Sequence, residues 1–136
     1  MLPSLNLVLT ESSTVFNTSR ISKGKPIVMV YFGPDSKNCQ EQTADIIKNI
    51  DSFKEIQFYI ITTNPFERLQ KFKKREEVNY KNLKLCNDNY FEYYNAMRPN
   101  TAPYIMIYDE HKKLKTTYEG AINENTIPNI LHGLPK

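Results

Sequence analysis

The chain has 136 residues, of which 40% are hydrophobic and 24% charged, with a net charge of +3. That length suits a single domain whose core needs no disulfide staples, and so mild a charge excludes a dedicated nucleic-acid surface, which requires a denser basic patch. No apolar run reaches the roughly 20 residues of a membrane span, and the opening MLPSLNLVLT has neither the basic region nor the apolar core of a signal sequence.

Residues 1–24 read as a β-rich N-terminal extension. Its short apolar runs, Leu5–Leu9 and Thr14–Phe16, are separated by Glu11-Ser12-Ser13, as in a loose hairpin. Ser22–Pro26 is a turn. Ile27–Phe32 is continuously apolar and rich in β-branched and aromatic residues, the pattern of a strand covered on both faces. Gly33 and Pro34 end it. A helix follows, with Asp35 or Ser36 as N-cap, because either side chain can accept a bond from an unpaired backbone N–H. Cys39, Thr43, Ile46, Ile47 and Ile50 recur at helical spacing, which puts Cys39 on the buried stripe. Ile56–Thr62 is a second buried strand, and strand–helix–strand implies parallel pairing.

Residues 65–78 form a charged helix, whose cluster Lys71, Lys73, Lys74 and Arg75 is followed at once by Glu76 and Glu77, as on a solvated face. Leu83–Cys86 is a short strand or extended segment. Asp88 caps a short aromatic helix through Met97, in which Tyr90, Phe91, Tyr94 and Met97 fall roughly on one face and read as core packing. Pro99 closes it. Pro103–Tyr108 is a third long strand, residues 109–113 turn the chain, and Leu114–Tyr118 returns antiparallel to a break at Gly120. A final helix carries Ile127, Ile130, Leu131 and Leu134, with Pro128 in its first turn.

The two cysteines stand 47 positions apart, and His111 and His132 are remote from both. No short Cys/His spacing exists, so no metal site is expected. The four glycines are not grouped, so no phosphate-cradling loop and no nucleotide cofactor is expected.

From about Gly24 to Leu134 the chain resembles the thioredoxin-like superfamily, and within it the bacterial envelope thiol–disulfide reductases. Lys25-Pro26 followed by IVMVYFGPDSKNCQEQ resembles the first core strand and active-site turn. Thr101-Ala102-Pro103 resembles the loop whose cis-proline faces that turn. The hairpin ending Tyr118-Glu119-Gly120 resembles the family's C-terminal half. The resemblance implies an α/β, thioredoxin-like fold, a central mixed β-sheet flanked by helices, in one domain over 1–136 with its core at 25–136. It implies a periplasmic or cell-envelope location, although no signal in the chain fixes the compartment and the cytoplasm stays open. It also implies a protein or peptide partner held at Thr101, Ala102 and Pro103, opposite Pro34 and Asp35. On base rates an X-Pro bond is cis in only about 5–6% of cases, which argues for trans at Pro103; the resemblance alone argues for cis, and the isomer stays open.

The family's motif is Cys-x-x-Cys, and this chain has Ser36-Lys37-Asn38-Cys39. The resemblance places Ser36 where the attacking thiol belongs and Cys39 where the buried, resolving thiol belongs. A helix N-terminus stabilises an adjacent anion by at most about 2 kcal/mol. That lowers a thiol pKa usefully but cannot ionise an aliphatic hydroxyl, which needs a positioned base. Ser36 therefore reads as an N-cap. Three functions are consistent with these residues. One is a thioredoxin-like protein without dithiol turnover that keeps a binding or accessory role. Another is a monothiol redox protein acting through Cys39 with Cys86 or an external thiol, or a peroxiredoxin-like peroxidase using Cys39. The third is a non-redox interaction domain. The peroxiredoxin pattern also calls for a proline seven positions before its cysteine, where this chain has Phe32, with Pro34 five before.

Overall fold

The computed structural model of the protein describes residues 2–10, 13–33, 37–78, 80–99 and 102–120. Pro34, Asp35, Ser36 and Thr101, and the C-terminal helix expected around Ile127–Leu134, lie outside the described residues. The elements run β1 (Asn6–Leu9), β2 (Val15–Asn17), β3 (Ile27–Tyr31), α1 (Lys37–Lys48), β4 (Gln57–Thr62), α2 (Phe66–Arg75), β5 (Leu83–Asn87), α3 (Glu92–Met97), β6 (Tyr104–Tyr108) and β7 (Leu114–Glu119). The strands form one mixed sheet in the order β2-β1-β5-β4-β3-β6-β7.

β3 lies between β4, parallel to it, and β6, antiparallel to it. Side chains of a strand alternate between the two faces, and here both faces are covered. Val28, Val30, Phe58, Ile60, Leu83, Leu85, Ile105 and Ile107 share one apolar core with Cys39 and Ile46 of α1 and Leu69 and Phe72 of α2. Ile27, Met29, Tyr59, Ile61, Cys86, Met106 and Tyr108 share a second core with Tyr93 of α3 and with Leu5 and Leu7. The continuous apolar runs of β3 and β4 thus reflect two buried faces. The N-terminal hairpin forms as expected, and β1 also pairs with β5, so the hairpin widens the main sheet.

The aromatic stripe differs from expectation. Tyr90, Phe91 and Tyr94 are exposed, Met97 packs on the second core from its edge, and Tyr93 is the ring that is fully buried. The physical reason is that α3 begins only at Glu92, so helical spacing cannot apply to Tyr90 and Phe91. Asp88 does cap the helix, but from outside it. One carboxylate oxygen accepts the Tyr93 N–H at 3.0 Å and the other the Tyr94 N–H at 2.9 Å. Between cap and helix the chain turns through Phe91 at φ 58°, and this twist sends the neighbouring rings outward.

Candidate active site

The site sits at the end of the sheet where β3 runs out and β6 begins. Tyr31 pairs with Tyr104 across these strands. Phe32 extends the pairing of β3 with β4 on the other side, donating its N–H to the Ile61 carbonyl at 2.8 Å. Gly33 then turns its N–H onto the Cys39 sulfur at 3.4 Å. Cys39 is the third residue of α1 and is fully buried. Its sulfur therefore faces the first core and the backbone of the loop that leads to it. One turn further on, Thr43 is equally buried, and its hydroxyl has no hydrogen-bond partner among the described residues.

On the β6 side, the Ala102–Pro103 peptide is cis. Ala102 packs at the rim of the first core and Pro103 is buried. The Pro103 carbonyl accepts the Gly120 N–H at 2.8 Å, which ties the end of β7 to the start of β6. Gly120 has φ 91°, a conformation that favours glycine. The structure thus brings Cys39, Ala102 and Pro103 to one end of the sheet, while Pro34, Asp35, Ser36 and Thr101 are outside the described residues.

Cys86 is not part of this site. Strand parity sets Leu85 in the first core and Cys86 in the second, so the sheet separates Cys86 from Cys39. A disulfide needs Cα atoms about 4.4–6.8 Å apart with converging Cβ atoms, and two opposite faces of a sheet do not offer that. Both residues are thiols rather than halves of a bridge. The Cys39–Cys86 pairing weighed from the sequence is therefore excluded, because β5 presents Cys86 to the wrong side. Among the described residues no cluster of His, Cys, Asp and Glu could hold a metal ion, and no helix is long and apolar enough to cross a membrane.

Sequence reasoning missed Tyr31. Its ring lies 5.9 Å from Tyr93 and 6.1 Å from Tyr94, and its hydroxyl is 3.0 Å from that of Thr63. It joins the end of β3 to α3. The only sequence signal was a phenol inside an otherwise apolar strand, which a half-exposed strand end requires. Nearby, burial raises the Tyr108 hydroxyl to about 12, with Tyr104 adding to the shift. Burial likewise pushes the Tyr93 hydroxyl far upward. These phenols stay neutral, and that of Tyr93 donates to the Met106 sulfur at 3.4 Å.

The AhpC/TSA family model matches residues 1–126. No curated protein matches the sequence. Among solved structures, a secreted disulfide oxidoreductase of Mycobacterium tuberculosis superposes with a TM-score of 0.77 at 16% identity, covering 96% of this chain and 96% of its own. The exposed lipoprotein thioredoxin Etrx1 of Streptococcus pneumoniae gives 0.76 at 16% identity, over 97% and 100%. StoA of Bacillus subtilis gives 0.76 at 10% identity, over 96% and 97%. At such identities the likeness establishes the fold, which is thioredoxin-like.

Proposed function

Because the chain belongs to the AhpC/TSA family, we propose that it is a thioredoxin-like protein of the thiol–disulfide oxidoreductase lineage that has lost dithiol turnover and keeps a peptide- or partner-binding role. The observation that carries this reading is the state of Cys39. It is the only sulfur of a cysteine at this end of the sheet, it is fully buried, and the residue three before it is Ser36. Dithiol exchange needs an exposed thiolate to attack and a second thiol to resolve the mixed disulfide. A serine in the attacking position supplies neither the acidity nor the leaving group, and no histidine is close in sequence to act as its base.

Partner binding at the Ala102–Pro103 loop does not depend on that sulfur, because an extended peptide can be held by main-chain bonds at a strand end. The secreted and exposed neighbours support an envelope location for the chain. The family match also motivates a peroxidase reading through Cys39, but full burial of the sulfur speaks against direct access for a peroxide. An insulin-reduction assay tests the proposal. The native protein should not exceed the uncatalysed rate, whereas turnover that disappears in Cys39→Ala would overturn it. Consumption of hydrogen peroxide with the same Cys39 dependence would favour the peroxidase reading instead.

A further inference from the structure

A cleft of about 510 Å³ opens at the other end of the sheet, where β3, β4 and β5 begin. The five residues of β3, at about 3.3 Å each, put that end roughly 16 Å from the end that holds Cys39 and Pro103. Its walls are the turn before β3, the 3-10 turn Ile50–Phe53 after α1, the start of β4 and the segment Tyr80–Asn82 that leads into β5. Hydrogen bonds brace these walls to one another. Gln57 donates its side-chain amide to the Ser22 and Lys25 carbonyls at 3.3 and 3.4 Å, and its backbone N–H to the Pro26 carbonyl at 2.9 Å. Asn82 donates its side-chain amide to the Phe53 carbonyl at 2.9 Å, and its backbone carbonyl accepts the Phe58 N–H at 2.8 Å. A hollow of this size with tied walls has the dimensions of a small-molecule site.

The lining groups set the chemistry of the ligand. Among the described residues of the lining, Lys25, Lys54 and Lys81 stand against a single carboxylate, that of Asp51. Lys25 reaches Glu55 only at 4.0 Å, with both side chains exposed, and such a contact is worth little. Lys54 and Lys81 make no ion pair among the described residues. The excess of positive charge calls for an anion. No arginine lines the cleft to grip a planar carboxylate with two parallel bonds. Lysines act instead as separate point charges, and a terminal phosphate, with up to two charges and three acceptor oxygens, engages all three. The other polar groups ask for hydroxyls. The side-chain N–H groups of Gln57 and Asn82 are spent on backbone carbonyls, so each amide offers its oxygen, and Asp51 adds two more acceptors. Ile50, Ile56 and Tyr80 supply the apolar part of the wall.

We propose that this cleft binds a small phosphate monoester with a hydroxylated body, a sugar phosphate. Lys25, Lys54 and Lys81 hold the phosphate, and the hydroxyls donate to Asp51, Gln57 and Asn82. The site is separate from the end that carries Cys39, and it stands whether or not dithiol turnover is lost.

The test is a titration of the full, isotope-labelled chain with glucose 6-phosphate at low ionic strength, followed by amide NMR. Shifts should centre on Lys25, Ile50–Gln57 and Tyr80–Asn82, with a Kd on the order of 1 mM. Lys54→Gln and Lys81→Gln should each weaken binding about tenfold, and Lys115→Gln, on β7, should leave it unchanged. All three lysines are exposed, so the variants keep the fold. Glucose should leave the spectrum unchanged, and inorganic phosphate and glucuronate should each bind about tenfold more weakly than glucose 6-phosphate. Equal binding of inorganic phosphate would show that the hydroxyls find no partners, and equal binding of glucuronate that a phosphate is not selected; either would overturn the proposal. Weakening by Lys115→Gln as large as that by Lys54→Gln would reduce the effect to general charge attraction and overturn it too. So would the absence of shifts in this region at about 20 mM ligand.

Discussion

Cys39 is a buried thiol near the start of α1, and its burial is the fact on which the proposed loss of dithiol turnover rests. Its helical spacing put it on a buried stripe, and the sulfur is indeed enclosed, with the Gly33 N–H directed at it. Cys86 is enclosed too, on the other face. Both thiols should therefore react with Ellman's reagent only on unfolding: the native protein should show no rapid thiol release, and the denatured protein should release both. A fast-reacting native thiol that Cys39→Ala removes would contradict this burial. Thr43 offers an independent check. A buried hydroxyl without a partner costs about 1–3 kcal/mol, and valine has nearly the same shape and a similar helix propensity. Thr43→Val should stabilise the protein by on the order of 1 kcal/mol, raising Tm by roughly 3 °C. A lowered Tm would mean that the hydroxyl is satisfied.

At the scale of elements, α3 hangs on Asp88. Burial raises the Asp88 carboxyl above its ordinary 3.8, more than its bonds to the Tyr94 and Tyr93 N–H groups lower it, and Glu92 adds repulsion. The folded state therefore binds the proton more tightly than the unfolded chain does. The ionised group opposes folding above its folded pKa, and that cost is relieved as pH falls through it. Asp109, in the β6–β7 turn, is the opposite case. Its carboxyl is lowered below 3.8, chiefly by the bond from the Lys113 N–H and also by that from His111. Its contribution is present above the unfolded pKa and is lost as pH falls through the lower folded value. Carboxyl NMR titration should place the Asp88 midpoint above, and the Asp109 midpoint below, that of an unperturbed aspartate; the reverse order would contradict the geometry. The sequence made Asp88 legible as a cap, since the residue type and the aromatic run after it are local signals. It did not reveal the intervening turn through Phe91 and so sent Tyr90, Phe91 and Tyr94 inward. A left-handed bulky residue runs against local preference, so no local rule could anticipate it.

At the scale of the molecule, the strand–helix order was legible because β3, β4 and β6 are apolar on both faces and α1 on one, and such periodicity survives in any context. Pairing was less so. That β1 joins β5, and that Cys86 lies across the sheet from Cys39, follow from strand order and parity, which depend on contacts distant in sequence. The candidate site was readable only through its resemblance to thioredoxin-like proteins, since a buried cysteine and an X-Pro bond have no distinctive local signature. What the whole fold supplies is an end of the sheet where β3, α1 and β6 converge on Cys39 and Pro103. The proposed function requires that only the attacking sulfur be missing from this site, with Ser36 in its place. Its most direct test is the intact mass of Ser36→Cys after mild oxidation. The variant should lose two hydrogen atoms by bridging the new thiol to Cys39, and reductant should restore them. A variant that keeps both thiols under those conditions would contradict the account.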